Sequence, residues 1–328
     1  MRNNHQILVT GGAGYIGSHI VEKLLENKKN KVIIYDNLIT GHKRLINKKA
    51  VFIKGDIKNT RYLSRIIKAK NIVSIIHLAA LLNVGEAEKN KKKYFENNVT
   101  GTMSLIKACE NSSVKNIIFS SSCSVYGEII GSVSETKKPN PKGYYAFTKF
   151  KGEQIIEKFA KKKGYYFAIL RYFNVAGASR SKKIGEIEKS HGHLIKNIAI
   201  ESLKSKPKIK IFGNNYKTKD GTCIRDYIHI SDLTEIHLKA LNYVVKNKKS
   251  LVLNCGYGKG YSVKEIVDIF SKIKKNVKII YLKKRPGDVA QVYSNIKRLK
   301  KILKWKPKYN NIKNIILSSI KWEKNLRS

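Results

Sequence analysis

A doubly wound parallel α/β fold is predicted by three features of the sequence. Apolar runs are too continuous to have a wet face, amphipathic stretches separate them, and a glycine-rich turn joins the first run to the first helix. The first run, Gln6-Ile7-Leu8-Val9, reads as a buried strand, and Ser18 to Glu26 sets Ile20, Val21, Leu24 and Leu25 on one helical face. Strands are then expected at Lys31 to Tyr35, at Ala50 to Ile53 and, behind a helical segment at about 60–70, at Ile72 to Leu78. A helix over roughly Tyr94 to Glu110 leads to Asn116-Ile117-Ile118-Phe119, and another at about 145–163 leads to Tyr166 to Leu170. That makes six strands.

Beyond Asn174 the alternation breaks. The polar stretch Gly177 to Gly192 reads as a loop into a second region, with a helix at Leu194 to Leu203 and a strand at Ile209 to Phe212. Tyr227 to Ile230, a helix at 232–246 and Leu251 to Asn254 are expected to rejoin the first sheet. Two domains follow. Residues 1–174, rejoined by about 225–254, form a nucleotide-binding domain, and 175–224 with 255–328 form a smaller α/β carboxyl-terminal lobe for substrate. In such folds ligands lie at the carboxyl ends of the strands, in the crevice between lobes.

Composition narrows the class. The 328 residues are 42% hydrophobic, enough for a substantial core, and no apolar run reaches the ~18 residues of a membrane span. The chain runs straight into its first strand without a signal-peptide pattern, so a cytoplasmic protein is expected. Cys109, Cys123, Cys223 and Cys255 stand singly, which suits reduced thiols and gives no metal-ligand spacing. The net charge of +44 invites a nucleic-acid reading. The lysines, however, occur in short clusters throughout, as at Lys91-Lys92-Lys93 and Lys161-Lys162-Lys163, rather than in one tail or one basic helix. Solvated faces drifted toward lysine account for this, with non-specific adhesion to anions as a side effect and no specific nucleic-acid partner.

The turn Gly11-Gly12-Ala13-Gly14-Tyr15-Ile16-Gly17 sits where a strand becomes a helix. Glycine at 11, 14 and 17 permits the tight turn, lets a pyrophosphate approach the backbone and allows close helix-on-strand packing, while the helix amino end attracts anions. A turn with no ligand would satisfy the glycines too. Context argues for a dinucleotide: the second strand ends in Asp36, nineteen residues past Gly17, where a carboxylate accepts the hydroxyls of an adenosine ribose. A carboxylate there repels a 2′-phosphate, so NAD is expected rather than NADP.

After the fifth strand comes Ser120-Ser121-Ser122-Cys123-Ser124, at the edge where a nicotinamide would lie. Downstream, Tyr145 and Lys149 are four residues apart at a helix start, which sets phenol and ammonium on one face. The ammonium, together with an oxidised nicotinamide, is expected to lower the phenol pKa from about 10 and make Tyr145 a base. Tyr309 and Lys313 share that spacing but have no partner serine, and Tyr144 has Thr148 at its plus-four position. Arg225 and Arg285 suit a diphosphate, since guanidinium forks pair with phosphate oxygens, although each stands near a carboxylate, Asp226 and Asp288, and an ordinary ion pair is the alternative. Phe212 serves equally as core.

These motifs together, with Gly55-Asp56-Ile57, Asn97-Asn98-Val99 and Leu170 to Asn174, resemble the extended short-chain dehydrogenase/reductase superfamily and its Rossmann-type fold. Ile211 to Tyr216, Asp220 to His229 and Arg285-Pro286-Gly287-Asp288 are similar to those of the UDP-glucose 4-epimerases within it. The resemblance spans nearly the whole chain. It implies an isomerase that interconverts UDP-glucose and UDP-galactose with a tightly held NAD regenerated each turnover. It implies Tyr145 as base, Ser122 bonding the reacting oxygen, and Lys149 also holding the nicotinamide ribose. It further implies Gly11, Gly14, Tyr15, Ile16, Gly17, Asp36, Asn37, Asp56, Ile57, Asn98 and Tyr172 around the dinucleotide. Asn174, Phe212, Arg225, Arg285 and Asp288 would grip the UDP. A homodimer built from the helices at about 94–110 and 145–163 is implied as well.

The sequence departs from the family pattern at a few places. Leu82 stands where some members place a cofactor-contacting lysine, and Lys196 where proline is common. His193 stands where many members have an amide near the phosphates, and a ligand contact, a loop filler and a helix cap are all open roles for it. Val292, seven residues after Arg285, falls at the position where bulk crowds the sugar 2-substituent, so N-acetylated UDP-hexosamines are expected to be accepted too. A nucleotide-sugar 4,6-dehydratase would carry an Asp-Glu pair after Ser122, and a decarboxylase a glutamate at Ser124; Cys123 and Ser124 meet neither requirement. A non-catalytic nucleotide- or RNA-binding protein would have no use for Ser122, Tyr145 and Lys149 together.

Overall fold

A computed structural model describes residues 5–181, 183–187, 193–285 and 288–328. In chain order the first strands are β1 His5–Thr10, β2 Asn30–Asp36, β3 Val51–Lys54, β4 Ser74–His77 and β5 Asn116–Ser122. They are followed by β6 Gly131–Val133, β7 Tyr166–Tyr172, β8 Asn174–Ala176, β9 Lys208–Phe212 and β10 Ile224–His229. The last are β11 Leu251–Cys255, β12 Gly260–Ser262, β13 Lys278–Leu282 and β14 Gln291–Ser294. The helices are α1 Tyr15–Leu25, α2 Thr60–Ala69, α3 Val84–Lys89, α4 Lys91–Tyr94, α5 Gly101–Ala108 and α6 Tyr144–Lys163. In the second half they are α7 Leu194–Glu201, α8 Ile230–Asn247, α9 Val263–Ile273, α10 Lys297–Leu303 and α11 Ile312–Arg327.

The chain folds as two compact units. The first comprises Met1–Gly127, Pro139–Arg171 and Thr234–Leu253, and the second Glu128–Lys138, Tyr172–Leu233 and Asn254–Ser328. A seven-stranded sheet in the order β11-β7-β5-β4-β1-β2-β3 organises the first. The sequence reverses direction about β1, and the β1 pairings to β2 and to β4 are both parallel. Ile7, Leu8 and Val9 are at most 1% exposed, which is why the strand reads as an unbroken apolar run. On one face of the sheet Leu8, Ile33 and Ile117 pack against Leu63, Ile66 and Ile67 of α2 and Leu105 and Ile106 of α5. Helix α2 starts where the Asn59 side chain accepts the Tyr62 N–H at 3.0 Å, and it buries residues at i, i+3 and i+4.

Two expectations need correction. The helix at 94–110 is not one uniform element: Phe95–Thr100 is a π-helical segment between α4 and α5. An extra residue per turn there turns Asn98 inward, where it is 3% exposed, and a 3.6-residue pattern cannot register that insertion. The segment at 225–230 does not rejoin the first sheet. Strand β10 pairs with β12, β14 and β8 in the second unit, while β11 alone joins the seven-stranded sheet. Apolar runs of this length fit either sheet, and only the partner strands decide.

In the second unit Ile195, Ile198 and Ala199 of α7 pack with Ile266, Val267 and Phe270 of α9 and Ile315 and Ile316 of α11. Helix α9 opens with a capping box: Ser262 Oγ accepts the Glu265 N–H at 3.0 Å and the Glu265 carboxylate accepts the Ser262 N–H at 2.7 Å. Of the expected loop Gly177 to Gly192, residues 182 and 188–192 lie outside the described residues, as do Pro286 and Gly287 of the Arg285–Asp288 motif.

Candidate active site

Two of the elbow's glycines cannot be anything larger, for different reasons. Gly11 has φ +72°, and a Cβ there would meet the Ala79 nitrogen at 2.7 Å; a Cβ on Gly17 would meet the Gly11 oxygen at 2.1 Å. Gly14 is unlike them. Its φ of −84° suits any residue, and a Cβ would meet only the Gly11 oxygen, at 3.3 Å. A methyl at 14 would press on that backbone oxygen by a few tenths of an ångström and would stand on the side from which a pyrophosphate would approach the elbow. Gly14 also caps α1 without any side-chain bond, so the helix dipole and the first N–H groups face that same approach.

Asp36 ends β2 beside the elbow, its Oδ2 accepting the Ala13 N–H at 3.0 Å and its Oδ1 the Leu38 N–H at 2.8 Å. Burial pushes its carboxyl up, and those two backbone bonds push back. Each oxygen keeps acceptor capacity for a ribose hydroxyl. Asn37 donates to Asp56 at 3.3 Å, and Tyr35 Oη donates to the Asp56 carbonyl at 2.9 Å, so the loops after β2 and β3 are tied into one rim. The Ile57 side chain is 4% exposed and belongs to the core, which leaves its main chain to face a base. Asn98 is wholly engaged. Its Oδ1 accepts the Leu81 N–H at 2.8 Å, and its Nδ2 donates to the Leu81 carbonyl and to Thr148 Oγ1, both at 3.1 Å. Its support for a dinucleotide is thus to hold the loop at 81 against α6. Tyr15 and Ile16, at the first turn of α1, are half-buried, and Tyr172 is buried at the end of β7. An open glycine face, a free helix start and a pinned carboxylate are the fit that NAD requires.

The structure brings Ser122, Tyr145 and Lys149 together. Ser122 Oγ accepts the Ser124 N–H at 3.2 Å and the Ser124 hydroxyl at 3.0 Å, and its own proton serves the Tyr145 phenol oxygen. Lys149 is 2% exposed, and its Nζ donates to the Ser120 carbonyl at 2.8 Å and lies 5.5 Å from the Phe119 ring centroid. Burial draws the ammonium down to about 8, against the raising effect of Glu153.

The protein's own groups act against the expected lowering of the phenol pKa, which leaves that lowering to the charge of an oxidised nicotinamide. Burial raises the Tyr145 pKa above its ordinary value, the bond from Ser122 only partly offsets it, and Cys123 and Tyr94 add to the rise. Lys149 spends its nearest contact on a carbonyl, so protein groups alone hold the phenol protonated.

In the second unit Arg225, on β10, has its Nη2 3.5 Å from Asp288 Oδ1, and Arg285 Nε donates to Asp288 Oδ2 at 2.9 Å. One carboxylate thus gathers both guanidiniums and leaves a net positive charge for an anion. The Arg285 guanidinium also lies 4.7 Å from the Phe212 ring centroid, which makes Phe212 a wall of this cluster and not plain core. Val292 pairs with Arg225 in the β10–β14 ladder and is half-buried. Asn174 is exposed at the start of β8. His193 occupies the cap position of α7 but makes no side-chain cap bond; its Nδ1 lies 3.0 Å from Glu186 Oε1.

The sequence reasoning passed over Glu153, Arg171 and His77. His77 Nδ1 accepts from Thr10 Oγ1 at 2.7 Å. Its Nε2 donates to Thr102 Oγ1 at 3.0 Å, because Thr102 spends its proton on the Asn98 carbonyl at 2.6 Å. The one available signal for Glu153 was its place four residues after Lys149 on the same helix face. His77 had none, being a single polar residue inside an apolar run.

A parallel doubly wound sheet with this elbow, and a serine, tyrosine and lysine at the carboxyl edge of β5, defines a dinucleotide-dependent enzyme of hydride and proton chemistry. Residues 7–256 match the NAD dependent epimerase/dehydratase family, and the chain belongs to that family. It is 39% identical over 322 residues to the UDP-glucose 4-epimerase of Lactobacillus helveticus, covering 97% of each chain. The crystal structure of UDP-glucose-4-epimerase from Stenotrophomonas maltophila, with bound NAD and formylated UDP-arabinopyranose, superposes with a TM-score of 0.93 at 31% identity, over 98% of this chain and 99% of that one. The UDP-Glc/GlcNAc 4-epimerase of Campylobacter jejuni gives a TM-score of 0.85 at 35% identity, over 98% of this chain and 99% of that one. Among the described residues, no helix is long and apolar enough to cross a membrane.

Proposed function

We propose that this chain interconverts UDP-galactose and UDP-glucose at C4 without net oxidation. The observation that carries the proposal is the convergence of Ser122, Tyr145 and Lys149 on one edge of the sheet that also holds the glycine elbow, in a chain alike over its full length to UDP-glucose 4-epimerases. NAD, held by the glycine elbow and Asp36, would supply reversible hydride acceptance for C4 of the sugar and the positive charge of an oxidised nicotinamide. The chain does the rest. Tyr145 Oη, as the phenolate, takes the proton of the 4-hydroxyl and gives it back, Ser122 Oγ bonds the same oxygen, and Lys149 Nζ stabilises the phenolate before the proton arrives and after it leaves. Arg225 and Arg285 hold the diphosphate, with Asp288 spacing them, and Phe212 and Asn174 complete the uridine side. Lys149 must stay charged for its part, so turnover falls as pH rises through about 8.

Purified protein incubated with UDP-galactose and no added NAD should form UDP-glucose, followed by chromatography. No product, or product only after a continuous supply of NAD as a consumed reagent, refutes the reading.

Val292, paired with Arg225 in the β10–β14 ladder, is smaller than the aromatic residues that would crowd a sugar 2-substituent, which supports turnover of UDP-N-acetylglucosamine as well. In Val292→Tyr that activity should drop at least tenfold relative to UDP-glucose. A wild-type enzyme inert toward the N-acetyl sugar sinks this extension alone.

A homodimer is part of the same reading, supported by Phe95 and Met103, 38% and 53% exposed on the segment leading through α5. Sedimentation should give twice the chain mass of 37.3 kDa. A monomer at micromolar concentration would remove it.

A further inference from the structure

Three consecutive serines of β5 hold three residues of α6 spaced four apart. Ser122 bonds Tyr145, the Ser120 carbonyl accepts from Lys149 at 2.8 Å, and Ser121 donates to the Glu153 carboxylate. The spacing 145, 149, 153 is one face of the helix laid along one strand edge. Two of the three contacts belong to the proton chemistry already described. The third does not, yet it is the most deeply fixed. Glu153 is 1% exposed and Arg171, on the neighbouring strand β7, is 4% exposed. Arg171 Nε and Nη2 reach Glu153 Oε1 and Oε2 at 2.9 and 2.6 Å, and the Arg171 guanidinium lies 4.8 Å from the Tyr126 ring centroid.

We propose that Glu153 is a positioning residue for the proton chemistry: clamped by Ser121 and Arg171 one helical turn beyond Lys149, its carboxylate holds α6 against β5 and so sets the place and surroundings of the Lys149 ammonium. The inference rests on the epimerase reading above. A buried ammonium bonded to a neutral carbonyl is costly, and a carboxylate one helical turn away is what makes it tenable. Other titratable groups face the same space: His77 on β4, which burial, aided by Lys149, holds neutral, Tyr145 on the same helix, Arg171 on β7, and Glu157, which feels both Glu153 and Arg171. Of these, Glu153 is the one that acts to keep Lys149 protonated. Arg171 aims the carboxylate from the far side, and Ser121 sets its height along the strand. Neither touches the reacting atoms.

The test measures the pH dependence of kcat/KM for UDP-galactose in four forms of the holoenzyme: wild type, Glu153→Gln, Glu153→Asp and the double variant Glu153→Gln with Arg171→Met. Glu153→Gln strands a buried guanidinium and so endangers the fold. The double variant replaces the pair by neutral groups of similar size and is expected to fold. In the double variant the alkaline limb should move down by about one pH unit, with kcat reduced at least tenfold at pH 8 and KM within twofold. The single Gln variant should shift further, and Glu153→Asp, which keeps the charge, should keep the wild-type limb.

A double variant whose profile superimposes on wild type overturns the proposal, as does a Glu153→Asp limb shifted as far as the double variant's. An inactive wild type overturns the epimerase reading and this inference together, whereas an active wild type with an unmoved variant overturns the inference alone.

Discussion

Tyr145 sits in surroundings that oppose its ionisation, and Gly14 is far less hemmed in than Gly11 and Gly17; a ligand in place accounts for both. Burial raises the phenol, Cys123 and Tyr94 add to the rise, and the one hydroxyl bond from Ser122 offsets it only in part. Removing the phenol oxygen deletes the proton acceptor without touching the elbow. Tyr145→Phe should lose about 10²- to 10⁴-fold in kcat, the usual worth of a positioned acid or base. The dinucleotide absorbance of the purified variant should persist; unchanged turnover would place the base elsewhere. The glycines separate in the same way. Gly17→Ala drives a methyl into the Gly11 oxygen and should lower the melting temperature by several degrees. Gly14→Ala should melt within a degree or two of wild type yet lose NAD affinity at least tenfold by titration. If both variants melt alike and bind alike, the distinction fails. The sequence spoke most clearly at this scale. Glycine, aspartate, serine, tyrosine and lysine at fixed spacings located the site, whereas the direction of the phenol shift depended on burial that no spacing reveals.

Strand β4 shows how an element is held. Its last residue, His77, bridges Thr10 of β1 and Thr102 of α5, and burial, aided by Lys149, depresses its pKa to about 3. The unfolded imidazole takes up a proton near 6.5 while the folded one refuses it until about pH 3, so the unfolded state binds more protons between those values. The contribution is fully present above pH 6.5 and is lost as pH falls, by about 1.4 kcal/mol per unit at most. Stability measured by denaturant at pH 7 and pH 5 should therefore drop, and His77→Gln, though less stable at pH 7, should show a drop smaller by about 1 to 2 kcal/mol. An equal drop in both proteins would mean that His77 does not titrate in this range. Elements were legible where periodicity was pure. Helix α2 and strands β1, β2 and β5 follow from their patterns, but the π segment at Phe95–Thr100 and the sheet to which β10 belongs were not. One depends on an inserted residue, and the other on partners more than thirty residues away.

For the whole molecule, the excess of 67 lysine and arginine residues over 23 acidic ones is spread over both units. Binding to RNA should therefore be weak, without sequence preference and abolished by moderate salt, with no effect on turnover once salt is raised. A tight complex that survives 0.3 M salt and competes with UDP-sugar would require a dedicated surface. The central claim is narrower: one carbon loses and regains the same hydrogen while Tyr145 handles only the hydroxyl proton. UDP-galactose deuterated at C4, converted in ordinary water and examined by mass spectrometry, tests it most directly. The product UDP-glucose should keep essentially all its deuterium at C4; loss of the label to solvent would contradict the account.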